Sequence, residues 1–397
     1  MGATMAPRPY AHQVPGPGAL LQLIRSGSAT SRSDLARVTG LSRTAVAARL
    51  AGLVDAQLVV ESGEGASTGG RPPMRLSFNP SAGSVFAAAV GRSRIQVGLC
   101  DLSGRALAMG THDQDVADGP EVVLTQVRDM FDELLVQAGV EASSVRGIGV
   151  SIPGVVGPDR ATALSAPALP GWEGVPVVPY LTRGLEVPVI LERDCNAMAL
   201  AERDGLMTTY NDLVFVKVST GIGVGLVLDR RLHRGFGGVA GELGHTKVVR
   251  PDGRVCRCGS IDCLEAHASG LALVDEMRRR GRDVHHVRDV VGKAMEGDGE
   301  AVSLIRESGR MVGDLLVSVV NLLNPQAIVV GGDMARTFEP LLAGIRESVY
   351  AGAVTLASRD LRILPTSHGE LTGVVGAANL VLAQVLSADA VDELLVR

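Results

Sequence analysis

Four side chains able to bind a single metal ion fall within one short stretch: His245, then Cys256, Cys258 and Cys263. Thiolate sulfur and imidazole nitrogen are the ligands zinc favours, and four of them complete a tetrahedral structural site. Two carboxylates flank the stretch, Glu242 before the histidine and Glu265 after the last cysteine. Zinc on His245, Cys256, Cys258 and Cys263 would fix a bend that carries an acid on each side. The imidazole has a second ring nitrogen, so His245 could face the metal with one and a ligand hydroxyl with the other. The competing reading makes the cysteines small buried apolar residues and the histidine a surface group. Four ligands at this density favour zinc.

The elements that must position these groups come from a chain of 397 residues, enough for two or three domains with their own cores. Aromatics make up only 3%, so the cores are expected from Val, Leu and Ala. Three of the five cysteines cluster, which fits metal in a reducing compartment better than a disulfide framework. No apolar run suits a bilayer span, and Met1–Tyr10 lacks the apolar core of a signal peptide. A cytoplasmic protein with no membrane partner is the expectation.

Charge is unevenly placed. Residues 1–78 carry eight arginines against four carboxylates, a net +4, which leaves −9 for the rest of a chain whose formal charge is −5. A basic head on an acidic body suggests that the head meets a polyanion. Residues 1–18, rich in Pro, Gly and Ala, read as a flexible tail. Leu20, Leu21, Leu23 and Ile24 give a first helix from Ala19 its apolar face. Ser31 or Ser33 can cap a second, and Thr39-Gly40-Leu41 ends it. Ser42 opens a third, with Val46, Leu50 and Leu53 inward and Arg43, Thr44, Ala47 and Arg49 outward. Helix, Gly-bearing turn and helix is the helix-turn-helix arrangement, whose second member enters the major groove. Leu58–Glu61 and Pro73–Phe78 around a Gly/Ser tip read as the strands of a wing, and Arg71 in Gly69-Gly70-Arg71-Pro72-Pro73 as an arm for the minor groove. The DNA-facing set is thus Ser42, Arg43, Thr44, Ala47, Arg49 and Arg71.

Gly241-Glu242-Leu243-Gly244-His245 followed by Cys256-Arg257-Cys258-Gly259-Ser260-Ile261-Asp262-Cys263-Leu264-Glu265 resembles the signature of the ROK (repressor, open reading frame, kinase) family of sugar kinases and sugar-responsive repressors. The family's usual glycine before the last cysteine is Asp262 here, which bears on how tightly the turn closes. The Gly-Arg-Pro segment at residues 70–72 is also similar to the wing of ROK repressors. The resemblance implies an α/β fold: a winged helix-turn-helix over residues 19–80, then a two-lobed actin-like ATPase domain over 81–397. One lobe would hold about 81–192 with the closing helix 373–397, the other about 193–372.

The family's kinases carry Asp-x-Gly-x-Thr at the first phosphate turn, where this chain reads Ala89-Val90-Gly91-Arg92-Ser93. The carboxylate is missing, which argues against phosphoryl transfer, a chemistry that depends on placing metal and phosphate charge. Asp194 in Arg193-Asp194-Cys195-Asn196 matches the family's general base, and Arg193 replaces an asparagine that holds a sugar hydroxyl. Such a cation points to a different grip or an anionic ligand. Gly154 after Ser151-Ile152-Pro153 matches a turn beside the sugar, and Glu242, His245 and Glu265 match hydroxyl ligands. Trp172 matches a loop over the cleft, and Ser219–Gly225 and Gly331-Gly332 match nucleotide-side turns. The expected ligand set is therefore Asp194, Glu242, His245, Glu265, Arg193 and Gly154.

Together these features imply a zinc-containing repressor that binds operator DNA as a dimer or dimer of dimers and senses a sugar or sugar derivative. The alternative is an ATP-dependent sugar kinase with an appended DNA-binding head, in which Asp194 would be catalytic.

Overall fold

The computed structural model describes residues 15–64, 74–164, 169–182, 184–205, 207–248 and 252–396. Contacts group the chain into two units, residues 1–83 with 382–397, and residues 84–381.

The smaller unit begins with α1 (Pro17–Arg25), α2 (Arg32–Thr39) and α3 (Arg43–Asp55), then β1 (Val59–Glu64) and β2 (Met74–Phe78) in antiparallel register. α1 starts at Pro17 rather than Ala19, because proline's fixed φ suits the first helical position. Ser31 Oγ accepts from the Asp34 N–H to cap α2, and Gly40 ends it at φ +70°. Ser42 Oγ accepts from the Ala45 N–H and opens α3. Leu20, Leu21, Leu35, Val46, Leu50 and Leu53 are buried together with Leu76 of the hairpin. Ser42, Arg43, Thr44 and Ala48 are exposed, whereas Ala47 is half-buried. Arg49 departs from its expected outward role: its Nε donates to Pro15 O at 2.8 Å and its Nη1 to Ala45 O at 3.1 Å. Arg71 lies outside the described residues, as do residues 1–14 of the expected tail.

The larger unit carries two sheets with the same connectivity. In the first, β3 (Ser84–Val90), β4 (Ile95–Asp101) and β5 (Ala106–His112) form an antiparallel meander. β6 (Val145–Ile152) and, beyond the β7–β8 hairpin (Thr162–Ala163, Val175–Pro176), β9 (Val189–Arg193) add in parallel. The order among the described residues is β5-β4-β3-β6-β9. α4 (Pro120–Ala138) and α5 (Val178–Thr182) cover this lobe, with Phe131 of α4 stacked on Phe86 at 4.2 Å. Trp172, in a segment that resembles a loop over the cleft, is fully buried in this core, its indole N–H donating to Val116 O at 3.2 Å. An apolar ring of that size is most stable out of water with its one donor satisfied.

After α6 (Asp194–Asp204) the pattern repeats. β10 (Leu213–Val218), β11 (Ile222–Leu228) and β12 (Arg231–His233) are antiparallel. α7 (Leu264–Ala268), α8 (Gly270–Arg279), α9 (Val287–Met295) and α10 (Gly299–Leu323) follow. β13 (Ala327–Gly331) then pairs with β10 in parallel and, after α11 (Phe338–Gly352) and α12 (Thr355–Ser358), so does β14 (Arg362–Pro365) with β13. Buried strands read as near-continuous apolar runs, as parallel pairing between helices requires.

α13 (Thr372–Val385) and α14 (Ala388–Leu394) close the chain. Gly149 of β6 lies so close under α13 that a Cβ there would sit 2.0 Å from Ala377 O, and a Cβ at Gly376 would sit 2.0 Å from Ala197 O. The expectation that all of 373–397 belongs with the first lobe is corrected here. Residues from Leu382 onward group with the helical unit, where Gly18 N donates to Asp392 Oδ1 at 2.7 Å. A sequence-local pattern cannot reveal that partner. Among the described residues, no single helix is long and apolar enough to cross a membrane.

The close approach of α14 to α1 gives a signed test. Gly-to-Ala within a helix ordinarily stabilises by up to about 1 kcal/mol. A Cβ on Gly18 would lie 2.1 Å from Ala388 O, whereas one on Gly52 would meet only Leu395 side-chain carbon at 3.5 Å. Gly18→Ala is expected to destabilise the helical unit by about 1–3 kcal/mol and Gly52→Ala to be neutral or stabilising, as read by urea denaturation of the full chain.

Candidate metal centre and ligand cleft

The segment carrying Glu242 and His245 is pressed onto β11. Val224 N donates to Gly241 O at 3.0 Å, and a Cβ at Gly241 or Gly244 would lie 2.0 Å from Val224 O or 2.2 Å from Ile222 O. Only glycine permits that approach, and at Gly241 the backbone also sits at φ +91°. A short turn over Leu243–His245 then aims the imidazole at the cysteine loop. The loop closes by the Cys256 N–H to Ser260 O bond at 2.7 Å and bridges joining Lys247 to Cys263 and Val255 to Ile261.

Asp262 takes the left-handed conformation at φ +55° where the signature has glycine. Its Oδ1 accepts the N–H groups of Asp252, Gly253 and Arg254 at 3.1, 2.9 and 3.1 Å and lies 3.1 Å from His267 Nε2. Aspartate tolerates this conformation better than most residues, and the gathered donors offset its cost, so the turn stays closed. Asp252, Asp262 and His267 are metal-ligating types, but Asp262 Oδ1 is already occupied by these donors.

His245 Nδ1 lies 3.6 Å from Cys256 Sγ, Cys258 Sγ lies 3.7 Å from Cys263 Sγ, and all four ligand atoms lie within 4.8 Å of one another. A tetrahedral zinc with bonds of about 2.3 Å to sulfur and about 2.0 Å to nitrogen separates its ligands by roughly 3.5–3.8 Å. The donor set fits. Without a cation, burial pushes the Cys256 thiol up to about 12 and the Cys263 thiol above its ordinary range. Cys258 is held low: burial opposes ionisation, but the Ser260 N–H and the other two thiols donate to it. Three crowded thiols of this kind become thiolates together only around a positive ion.

A cleft of about 550 Å³ opens beside this loop, and Ser151, Gly154, Arg193, Asp194, Glu242 and Glu265 are among its lining. His245 does not line it. Its Nε2 lies 3.7 Å from Glu242 Oε2, so its reach into the cleft is through that carboxylate. Glu265, at the start of α7, accepts from Ile222 N–H at 3.1 Å and pairs with Arg257 Nη2 at 3.1 Å. Arg193 pairs with Glu242 Oε1 at 3.1 Å and donates Nη1 to Ala240 O at 2.9 Å. Its donors tie the 240–242 segment to the end of β9, so an anionic ligand does not follow from Arg193 as the sequence suggested. Ser151 Oγ is buried without a partner among the described residues.

Asp194 is the first residue of α6 and is buried. Its Oδ1 accepts the Cys195 N–H at 2.7 Å, and its Oδ2 lies 2.5 Å from Lys217 Nζ. Burial alone would raise its pKa, but the charge and hydrogen bond of Lys217 outweigh burial and hold the carboxyl below its usual range. Burial likewise opposes charge on Lys217, and Asp194 more than reverses it, so the ammonium titrates above its usual range. Sequence reasoning missed Lys217. The signal was a lone cation in the apolar strand Leu213-Val214-Phe215-Val216-Lys217-Val218.

The cleft lining also includes Gly91, Arg92, Ser93, Gly332, Asp333 and Arg336. Ser93 Oγ lies 2.6 Å from His286 Nε2, Arg94 pairs with Glu370 at 3.3 Å, and Arg288 pairs with Asp113 at 3.0 Å. Ser219 is bonded to Asp333. Burial, helped by Arg288, holds His286 below its ordinary range. His286 Nδ1 accepts from Arg288 N–H at 3.1 Å, which assigns the proton to Nε2 and makes Ser93 the acceptor.

The model of the ROK family matches residues 85–384. The xylose repressor of Bacillus spizizenii is 28% identical over 368 residues, covering 92% of this chain and 94% of that protein. A glucokinase of Streptomyces coelicolor is 29% identical over 310 residues and covers 73% of this chain. Among solved structures, a ROK family transcriptional regulator described as a homologue of the E. coli MLC protein superposes with TM-score 0.79 at 26% identity. It covers 96% of this chain and 98% of its own. A ROK family glucokinase from Streptomyces griseus in complex with glucose and AMPPNP gives 0.64 at 28% identity and covers 75% of this chain.

The buried pair predicts a titration pattern. A carboxylate with lowered pKa stabilises the fold above its unfolded value, near about 4, and loses that contribution as pH falls through the folded value. An ammonium with raised pKa stabilises below about 10.4 and loses the contribution as pH rises through the folded value. The pair is therefore charged throughout the neutral range. Lys217→Met strands a buried carboxylate and should cost about 3–5 kcal/mol at pH 7, less as the solution is acidified. Adding Asp194→Asn should restore most of the loss in urea titrations.

Proposed function

Because the chain belongs to the ROK family, we propose that it is a sugar-responsive repressor that binds operator DNA, and not a sugar kinase. The observation that carries this reading is the Lys217–Asp194 pair at 2.5 Å. A general base works best with a pKa near the working pH, and an ion-paired carboxylate of lowered pKa is a poor one. Ala89 supports the same reading, since it offers no carboxylate at the first phosphate turn. The relative named a repressor matches 92% of this chain, whereas the glucokinase matches 73%.

The three helices and hairpin of the smaller unit are read as a winged helix-turn-helix. Ser42, Arg43 and Thr44 at the exposed start of α3 face the major groove, and Arg71 of the wing segment is assigned to the minor groove. One such head gives modest affinity, so a homodimer on paired half-sites is part of the proposal. Zinc on His245, Cys256, Cys258 and Cys263 is structural and holds Glu242 and Glu265 beside the cleft. Those carboxylates accept hydroxyl hydrogen bonds from a carbohydrate effector, and Ser151 offers a further polar contact.

The effector acts by population shift. The chain passes between its two units twice, after Gly83 and within α13 after Val381. α13 touches Ala197, three residues beyond Asp194 at the cleft, and Ala89 at the first phosphate turn. Occupancy that alters these contacts reaches the head through the covalently continuous α13 and α14.

The test is operator binding with duplexes that the protein itself enriches from a random pool, alongside ATP-consumption assays over a sugar panel. Arg43→Ala should weaken operator binding by about 1–3 kcal/mol, a sugar should release wild-type protein from DNA, and no sugar should elicit ATP turnover. Sugar-dependent ATP turnover would establish the kinase reading instead.

A further inference from the structure

Two guanidinium groups in the cleft are incompletely bonded. Arg92, in the turn between β3 and β4, and Arg257, between two of the cysteine ligands, both line the cleft. Among the described residues, the Nη1 atom of each is buried and has no hydrogen-bond partner. Arg257 is anchored through Nη2 to Glu265 at 3.1 Å, which orients its fork. The two positive charges repel each other across the cleft. Buried, unpaired donors on charged groups are costly, and two like charges in a site of low dielectric compound that cost. Both terms reverse if an oxyanion sits between the forks, since guanidinium geometry matches phosphate and carboxylate oxygens.

Next to this cationic pair lie Glu242 and Glu265, acceptors suited to hydroxyls, and the unpartnered Ser151 Oγ. The geometry points to an effector that is an anionic carbohydrate, a sugar bearing a phosphate or carboxylate, gripped at its charge by Arg92 and Arg257. This deepens the effector reading above and rests on it. It also relocates the anion contact suggested by Arg193, whose donors are bonded to Glu242 and to the carbonyls of Ala240 and Gly241. The one arginine faces the sheet-turn side of the cleft and the other rides on the metal loop. An anion bridging them would therefore tie the β3–β4 turn to the metal loop.

The experiment is calorimetric titration of the full chain with glucose, glucose 6-phosphate, gluconate, xylose and inorganic phosphate. Melting temperature and zinc content of each variant verify folding. In the wild type, a charged sugar is expected to bind about tenfold or more tighter than its neutral parent. Arg92→Gln and Arg257→Gln should each reduce that ratio toward one, and Arg92→Lys, which keeps the charge but loses the fork, should give an intermediate ratio. A wild-type ratio near one with measurable neutral-sugar binding overturns the anion site and leaves the effector reading intact. So does a ratio that survives both glutamine variants. Inorganic phosphate binding as tightly as glucose 6-phosphate overturns the requirement for a carbohydrate. Failure of every carbohydrate to bind overturns the anion site and the effector reading together.

Discussion

The convergence of three thiols and one imidazole at separations of 3.6 and 3.7 Å is the constraint on which the ligand cleft depends. The loop that carries them has few apolar contacts of its own: Val255 and Ile261 are exposed, and its backbone is held by two isolated bridges. Loops of this kind are ordinarily the least stable parts of a fold. The proposed four-ligand ion would close the segment from His245 to Cys263 and so fix the spacing of Glu242, Arg257 and Glu265, which lie on or beside it. Asp262 does the remaining work by gathering three backbone N–H groups that would otherwise compete for solvent.

The cleft itself divides by chemistry. Carboxylates beside the metal loop and a hydroxyl from β6 suit a polyhydroxylated ligand. Lys217 holds Asp194 in a charge pair that leaves it a weak proton acceptor. At the turn between β3 and β4, the positions that match the kinases' first phosphate turn carry Ala89, Gly91 and Ser93, and Ser93 is bonded to His286. The backbone superposes on that of a ROK family glucokinase, while Asp194 and Ser93 are bonded to Lys217 and His286. That arrangement supports the proposed role in recognition, since function lives in the site and not in the fold.

Much of this was legible in the sequence. The convergence of His245, Cys256, Cys258 and Cys263 could be read because their types and spacing are specific. The repeated buried strands could be read because apolar runs bounded by glycine leave few alternatives. What escaped depended on tertiary proximity. Arg193 looked like a free cation until Glu242 and two carbonyls were seen to surround it. Arg49 looked outward by helical periodicity, but its long side chain folds back to Pro15. Trp172 matched a loop over the cleft yet fills the first lobe's core, and the C-terminal segment divides between units because Gly18 lets α14 approach α1. The importance of Lys217 was visible as a charge in an apolar strand, but its partner lies in a different element, twenty-three residues earlier in the chain.

X-ray absorption spectroscopy at the zinc edge on the purified 397-residue chain tests the central claim most directly. The account predicts a four-coordinate ion with three sulfur neighbours at about 2.3 Å and one nitrogen at about 2.0 Å. An ion surrounded by oxygen and nitrogen alone, or protein that is folded and ligand-competent with no bound metal, would contradict it.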